Sequence, residues 1–273
     1  GGAERSVYNL LAHHRPPFQP ALLTFRKAAP FWRELSCPIY TLEDLGISES
    51  MIRGIFLHKH VPHALFAARQ LSRLIRAERF DVAVGVLHVS ALLLALAKDC
   101  FRLHVPIVAN LRGDATAYFK SEVSSAVRRV MEKALLRYLC RRANAVVVPS
   151  LGVGSDLVKQ YRVPEAKVYT VYNGLDLDEI RRRSGQHATL PWPKDNVPTI
   201  LGVGRLDSQK SFHILVEAFA LLRKRFPARL VLLGEGVERA RLERLASELG
   251  IGGDVLLPGF MENPFAAMRA ASV

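Results

Sequence analysis

Apolar positions along the chain follow two alternating patterns. Short, β-branched runs over 81–87, 106–111, 145–149, 168–171, 199–203, 229–233 and 255–257 read as buried strands. Between them lie stretches with apolar residues at helical spacing. In 61–77 these are Val61, Leu65, Ala68, Leu71, Leu74 and Ile75, with Arg69, Arg73, Arg76 and Arg79 on or near the other face. The same reading predicts helices over 6–14, 90–98, 121–140, 152–160, 211–226, 237–249 and 264–271. It also predicts a loop over 1–5 and two early strands over 18–25 and 39–42. Strands alternating with helices imply parallel sheets covered on both faces. The alternation stops over 173–198, which lacks a long apolar run and carries Gly174, Arg181-Arg182-Arg183, Gly185 and Pro191-Trp192-Pro193. The expected architecture is therefore α/β, with two Rossmann-like, doubly wound domains. The first covers 1–180, a linker follows over 181–198, and the second covers 199–273. Ligands of such folds sit at the carboxyl ends of strands.

Composition narrows the class. The chain has 273 residues, 49% apolar and 23% charged, which excludes a disordered chain. Its three cysteines, Cys37, Cys100 and Cys140, are too few and scattered for a disulfide framework or a cysteine zinc site, so a reducing compartment is the simplest home. The net charge is +13, of which the first 150 residues carry +10. A phosphate-rich partner or an anionic membrane surface fits that excess, as does an Arg-rich proteome. No stretch reaches the roughly 20 apolar residues of a membrane span, and no signal-peptide pattern opens the chain. The sequence starts as a loop and ends, at Ala271-Ser272-Val273, like the start of a strand. Both ends are expected to be cut.

Four constellations carry candidate chemistry. In Gly202-Val203-Gly204-Arg205-Leu206-Asp207-Ser208-Gln209-Lys210, two glycines end a strand, and Arg205 and Lys210 bracket a loop opening a helix. Glycines admit a ligand to the backbone, a helix start offers free N–H groups, and the cations bind phosphate oxygens. This reads as a diphosphate cradle, or as a tight turn with solvated cations. It is not a Walker A loop. Leu233-Gly234-Glu235-Gly236 suits close approach to a sugar or ribose hydroxyl, or is a plain turn. Gly1-Gly2-Ala3-Glu4-Arg5 is an anion cradle or a frayed terminus. Asn110-Leu111-Arg112-Gly113-Asp114 follows a strand where sites form, or is an internal salt bridge with a turn glycine. The nine histidines show no metal-ligand spacing; His58, His60 and His63 read as an exposed loop or helix start. His88 follows a strand and either faces the cleft or is structural.

Taken together in order, these segments resemble the family-4 retaining glycosyltransferases, whose GT-B fold has two Rossmann-like domains facing across a cleft. The resemblance rests on Ala143-Asn144-Ala145-Val146-Val147-Val148-Pro149-Ser150 and on Val171-Tyr172-Asn173-Gly174-Leu175-Asp176. It continues through Gly202-Val203-Gly204-Arg205-Leu206 with Lys210, Leu215 and Glu217-Ala218-Phe219, then Leu233-Gly234-Glu235-Gly236 and Leu257-Pro258-Gly259-Phe260. Gly1-Gly2-Ala3-Glu4-Arg5 is similar to the family's first-domain glycine loop. The resemblance implies catalytic roles for Arg205 and Lys210, which would bind the donor diphosphate and stabilise the leaving group. It implies donor binding by Gly204, Gly234, Glu235 and the backbone of Phe260 and Met261. Gly1, Gly2, Glu4, Arg112 and Asp114 would line the acceptor side of the cleft. No metal or cofactor is implied, because the two cations neutralise the diphosphate.

The family pattern has His where Arg112 stands, which reads as a subfamily difference. It has Gly where Ser211 stands, a residue that suits a helix cap. Its paired glutamates lie beyond Val273, so the second domain is expected to be incomplete. The implied activity is transfer of a hexosyl or N-acetylhexosaminyl group from a nucleotide-sugar, with UDP favoured, to a glycan or lipid-linked acceptor in cell-surface polysaccharide or lipopolysaccharide synthesis. The implied location is cytoplasmic, peripheral on the inner face of the plasma membrane, with the Arg-bearing helices at 61–79 and 121–142 against anionic headgroups. The alternative is a non-catalytic nucleotide- or membrane-binding fragment. A nicotinamide oxidoreductase is disfavoured, since Asp207 occupies the third glycine position. No nucleic acid is expected as partner, for want of an aromatic-interleaved basic platform.

Overall fold

The structure is a computed structural model that describes residues 2–25, 32, 34–48, 50–51, 61–113, 125–186 and 197–273. The chain divides into two units, Gly1–Leu175 and Asp176–Val273.

The first unit opens with α1 (Gly2–Ala12) and a parallel pair, β1 (Leu22–Thr24) and β2 (Ile39–Thr41). Its main sheet has four parallel strands in the order β3 (Ala83–Val86), β4 (Ile107–Asn110), β5 (Ala145–Val148) and β6 (Val168–Thr170). The helices are α2 (Val61–Ala77), α3 (Leu87–Phe101), α4 (Ala126–Arg142) and α5 (Leu151–Tyr161). α2 buries Ala67, Ala68, Leu71, Ser72 and Ile75, a stripe set by its 3.6-residue period. α3 is apolar nearly all round and is shared among three core clusters. That burial explains how a helix can form from the sequence's longest apolar run. Ser125 and Ser150 start α4 and α5 by accepting from Arg128 N and Val153 N. One face of the sheet is buried through Ala109, Val146 and Val148, and half-buried at Val168 and Thr170 of β6. The alternate residues Val108, Asn110, Ala145 and Val147 are half-buried.

The second unit comprises α6 (Leu177–Ser184), β7 (Thr199–Val203), α7 (Phe212–Arg223), β8 (Arg229–Leu233), α8 (Arg239–Glu248), β9 (Val255–Gly259) and α9 (Pro264–Ala270). β8 lies between β7 and β9, all parallel. Leu230 and Leu232 pack against Phe212, Val216 and Phe219 of α7 and Leu242 and Ala246 of α8. Val231 and Leu233 point the other way, onto Ala267 of α9. Both faces of this sheet are thus covered, as the continuous apolar run 230–233 requires. At the chain's end Val273 O accepts from Leu201 N at 2.9 Å, so the residue lies in strand register beside β7.

Three expectations change. Residues 2–5 are the first turn of a helix, not a loop. The early strand is shortened to Leu22–Thr24, because Pro20 supplies no ladder donor. Residues 177–184, which overlap the expected linker, form a helix of the second unit. Asp176 nucleates it by accepting from Glu179 N at 2.9 Å, and acidic first-turn and basic last-turn residues match the helix dipole. Residues 121–124 of the expected helix and 187–196 of the expected linker, with Pro191-Trp192-Pro193, lie outside the described residues. Among the described residues no helix is long and apolar enough to cross a membrane.

The Leu232 side chain is fully enclosed between β8, α7 and α8. Leu232→Ala is expected to lower unfolding free energy by about 2–5 kcal/mol in chemical denaturation. A loss under about 1 kcal/mol would contradict this packing.

Candidate functional site

The carboxyl ends of β7, β8 and β9 are laced together by backbone hydrogen bonds. Gly204 N donates to Leu233 O at 2.9 Å, Leu206 N to Glu235 O at 3.0 Å, and Gly234 N to Gly259 O at 2.9 Å. Glu238 N returns to Leu206 O at 2.9 Å. This closeness depends on two missing side chains. A Cβ at Gly234, whose φ is +145°, would stand 1.8 Å from Gly204 O. One at Gly236 would stand 2.2 Å from Leu206 O. In the structure these glycines therefore serve contact between neighbouring loops. Gly204 differs: a Cβ there would meet only Phe212 and the Lys210 stem at 3.5–3.6 Å, so no backbone neighbour crowds its side-chain position.

Around this lattice the charged groups are ordered by Asp207. Its Oδ2 pairs with Arg205 Nη2 at 3.0 Å, and its Oδ1 accepts from Lys210 N at 3.2 Å. Asp207 thereby caps the short 3₁₀ turn Ser208–Lys210 and fixes the spacing of the two cations. The Arg205 side chain is 71% exposed, and Lys210 is exposed with its stem beside Gly204. No side chain caps α7 among the described residues. Ser211 was expected as that cap. Instead it sits at φ 52°, ψ 35°, in the left-handed region, and its hydroxyl donates back to Ser208 O at 3.3 Å.

Glu235 does not stand free. Its Oε1 pairs with Arg239 Nη1 at 2.8 Å, and Arg239 also reaches Glu243 at 3.0 Å and the Leu257 carbonyl. Met261 tucks against Val231, Leu233 and Ala267, whereas Phe260 is 79% exposed.

In the first unit, Arg112 follows β4 and is half-buried. Its guanidinium donates to Asn173 Oδ1 and, at 3.5 Å, to Asn110 Oδ1. Burial lowers its pKa from the usual arginine value, although the group remains charged at neutral pH. Asn9 of α1 donates to Gly174 O at 3.2 Å, so α1, the end of β4 and segment 173–174 converge. Gly2 and Glu4 lie in the exposed first turn of α1. His88 is in the first turn of α3, next to Leu87 at φ 68°. Gly1, Asp114, His58 and His60 lie outside the described residues.

The structure thus brings Gly204, Arg205, Lys210, Gly234 and Glu235 to one set of strand ends, with Phe260 and Met261 at the next. Among the described residues it groups Arg112 with Asn110 and Asn173; Asp114, the acid expected beside it, lies outside them. Sequence reasoning missed Asn173 and Asn9 as partners of that corner, and Asp207 as the organiser of the cations. Asp207 was visible as a capping residue three positions before Lys210, the one available signal. Among the described residues no group of three or more His, Cys, Asp or Glu is placed to hold a metal ion.

Residues 1–179 match the family model of Glycosyltransferase Family 4, and residues 189–273 that of the Glycosyl transferases group 1. The chain belongs to the family-4 glycosyltransferases. It is 29% identical over 269 residues to a Campylobacter jejuni N-acetylgalactosamine-N,N'-diacetylbacillosaminyl-diphospho-undecaprenol 4-alpha-N-acetylgalactosaminyltransferase, covering 98% of this chain and 68% of that one. The fold matches Anabaena HepE, solved with UDP and glucose, at TM-score 0.70, 18% identity, and 99% and 69% coverage. It also matches the lipopolysaccharide outer core galactosyltransferase WaaB in its apo form, at TM-score 0.64, 16% identity, and 98% and 67% coverage. These neighbours are GT-B proteins, so the expected fold class holds. The chain spans about two thirds of the length of each.

Two substitutions test the loop lattice. Gly234→Ala is expected to cost more than about 3 kcal/mol, because a positive φ and a backbone clash act together. Ser211→Gly is expected to gain up to about 1 kcal/mol by relieving the left-handed serine, net of the unfolded-state entropy of glycine. Thermal melts of both variants check the signs; a neutral Gly234→Ala would contradict the lattice.

Proposed function

We propose that this chain is part of a retaining glycosyltransferase that moves a hexosyl or N-acetylhexosaminyl group from a UDP-sugar to a glycan or lipid-linked acceptor in cell-surface polysaccharide or lipopolysaccharide synthesis. The observation that carries the reading is the side-chain position of Gly204, where a Cβ would meet only Phe212 and the Lys210 stem. Gly204 is flanked by exposed Arg205 and Lys210 and followed by the uncapped first turn of α7. A diphosphate bound there would meet free N–H groups, a forked guanidinium and a mobile ammonium. As the bond from the anomeric carbon to the diphosphate breaks, negative charge gathers on the departing oxygen. Arg205 and Lys210 would neutralise it, a stabilisation greatest in the transition state. The reading assigns this role to the two cations and involves no metal or cofactor.

The donor surface would extend over Gly234, Glu235 and the backbone at Phe260 and Met261. The acceptor side would include Gly1, Gly2, Glu4, Arg112 and Asp114. Support for the UDP donor comes from HepE, solved with UDP and glucose, and for a lipid-linked acceptor from the diphospho-undecaprenol substrate in the Campylobacter relative's name.

The chain would act at the cytoplasmic face of the plasma membrane. The α4 helix supports peripheral contact there. Val127, Val130 and Met131 are 77%, 70% and 44% exposed, beside Lys133, Arg137 and Arg141. Such cations contribute about 1 kcal/mol each near an anionic surface.

Isothermal titration with UDP, GDP and NAD tests the cradle. One nucleoside diphosphate should bind saturably, about tenfold or more weaker in Arg205→Ala and in Lys210→Ala, since each loses a charge-assisted contact. Added EDTA should leave binding unchanged. Binding of NAD alone, or of no nucleotide by folded protein, would contradict the proposal.

A further inference from the structure

Of the three consecutive arginines at the end of α6, two are satisfied within the helix. Arg181 pairs with Asp178 at 3.3 Å and Arg182 with Glu179 at 2.7 Å. Arg183 leaves it. Its Nη2 donates to the Glu262 carbonyl at 2.7 Å, and its guanidinium lies 5.6 Å from the centroid of the Phe265 ring. The contact is returned by Asn263, whose Nδ2 donates to Arg183 O at 3.0 Å and to Gln186 Oε1 at 2.9 Å. These bonds bridge about 80 residues of sequence, and they fall on the segment joining β9 to α9.

That segment has two fixed sides and one open side. Met261 is held in the core beneath it. Arg183 holds it laterally from α6, and Asn263 at its end donates back to Arg183 O. Phe260 is left exposed. A backbone that reads a nucleobase by its edge works only when held within about 0.5 Å, because a displaced donor or acceptor loses its bond to the base while its desolvation remains. A guanidinium-to-carbonyl bond is charge-assisted, and the ring contact fixes the plane of the fork.

We infer that Arg183 and Asn263 are positioning residues that set the base selectivity of the donor site by fixing the backbone of residues 260–262. The inference rests on the nucleotide site proposed above. Neither residue touches the diphosphate cradle of Arg205 and Lys210. Their loss therefore weakens recognition of the base and spares recognition of the phosphates.

The test uses isothermal titration of the wild type, Arg183→Ala and Asn263→Ala with UDP, GDP, ADP and inorganic pyrophosphate. Arg183→Met is the control for folding, since it keeps an apolar stem on Phe265 and loses only the fork. Circular dichroism melts identify folded samples. The expected result is a loss of about tenfold in affinity for the preferred nucleoside diphosphate, the size of one charge-assisted bond. The preference among bases should narrow, and pyrophosphate affinity should stay within about twofold. Unchanged nucleotide affinity in folded variants overturns the inference. So does an equal loss for nucleotide and pyrophosphate, which marks general disturbance of the domain. A wild type that binds neither nucleotide nor pyrophosphate overturns the nucleotide site itself, and is distinguished by failing before any variant is compared.

Discussion

Three strand-end loops in the second unit meet through their backbones, and the meeting is possible only because Gly234 and Gly236 have no side chains. The bonds from Gly204 to Leu233, from Leu206 to Glu235 and from Gly234 to Gly259 extend the sheet's own register past the last strand residues. They turn three separate loops into one surface. Gly204 lies within that surface with only its side-chain position clear of backbone, and the cations flanking it inherit their positions from the same lattice. The Phe260–Asn263 segment leaves from its far edge, where Arg183 takes hold of it.

Charge balance within this surface favours exchange. The Arg205–Asp207 pair is exposed, and such pairs are worth only about 0–1 kcal/mol. A diphosphate carries more charge than one carboxylate and offers more acceptor oxygens, so it can replace Asp207 at the guanidinium at small cost. Asp207 keeps its second oxygen on Lys210 N, so the turn survives the exchange. Glu235, the nearby acid, is engaged by Arg239, and its charge is balanced within its own loop. The arrangement leaves positive charge unmatched where the helix dipole of α7 also points.

The fold was legible wherever periodicity and burial agreed. The helix Val61–Ala77 and the strands Thr199–Val203 and Arg229–Leu233 match their sequence-based bounds, because apolar spacing alone decides them. The helix Leu177–Ser184 was hidden because it has only two apolar residues, Leu177 and Ile180, and buries none. Its evidence lies in Asp176 as cap and in charges matched to the dipole. Residues 2–5 looked like a loop because glycine is a poor helix former; the remainder of α1 carries them. The site was legible as chemistry but not as geometry. Glycine pairs and cations marked loops that the structure brings together at the ends of β7, β8 and β9. The sequence could not distinguish a glycine whose side-chain position meets no backbone, as at Gly204, from one that admits another backbone, as at Gly234. Nor could it reveal that Ser211 adopts a left-handed conformation, or that Arg112 meets Asn173 across 61 residues.

The central claim is that the ends of β7, β8 and β9 form one anion-binding surface centred on Gly204. The most direct measurement is a crystal structure of the chain grown with its preferred nucleoside diphosphate. The account predicts the diphosphate within hydrogen-bonding distance of the Arg205 backbone N–H, with Arg205 swung from Asp207 onto a phosphate oxygen and Lys210 Nζ within about 3 Å of another. A nucleotide bound away from these strand ends, or a bound diphosphate with the Arg205–Asp207 pair intact, would contradict it.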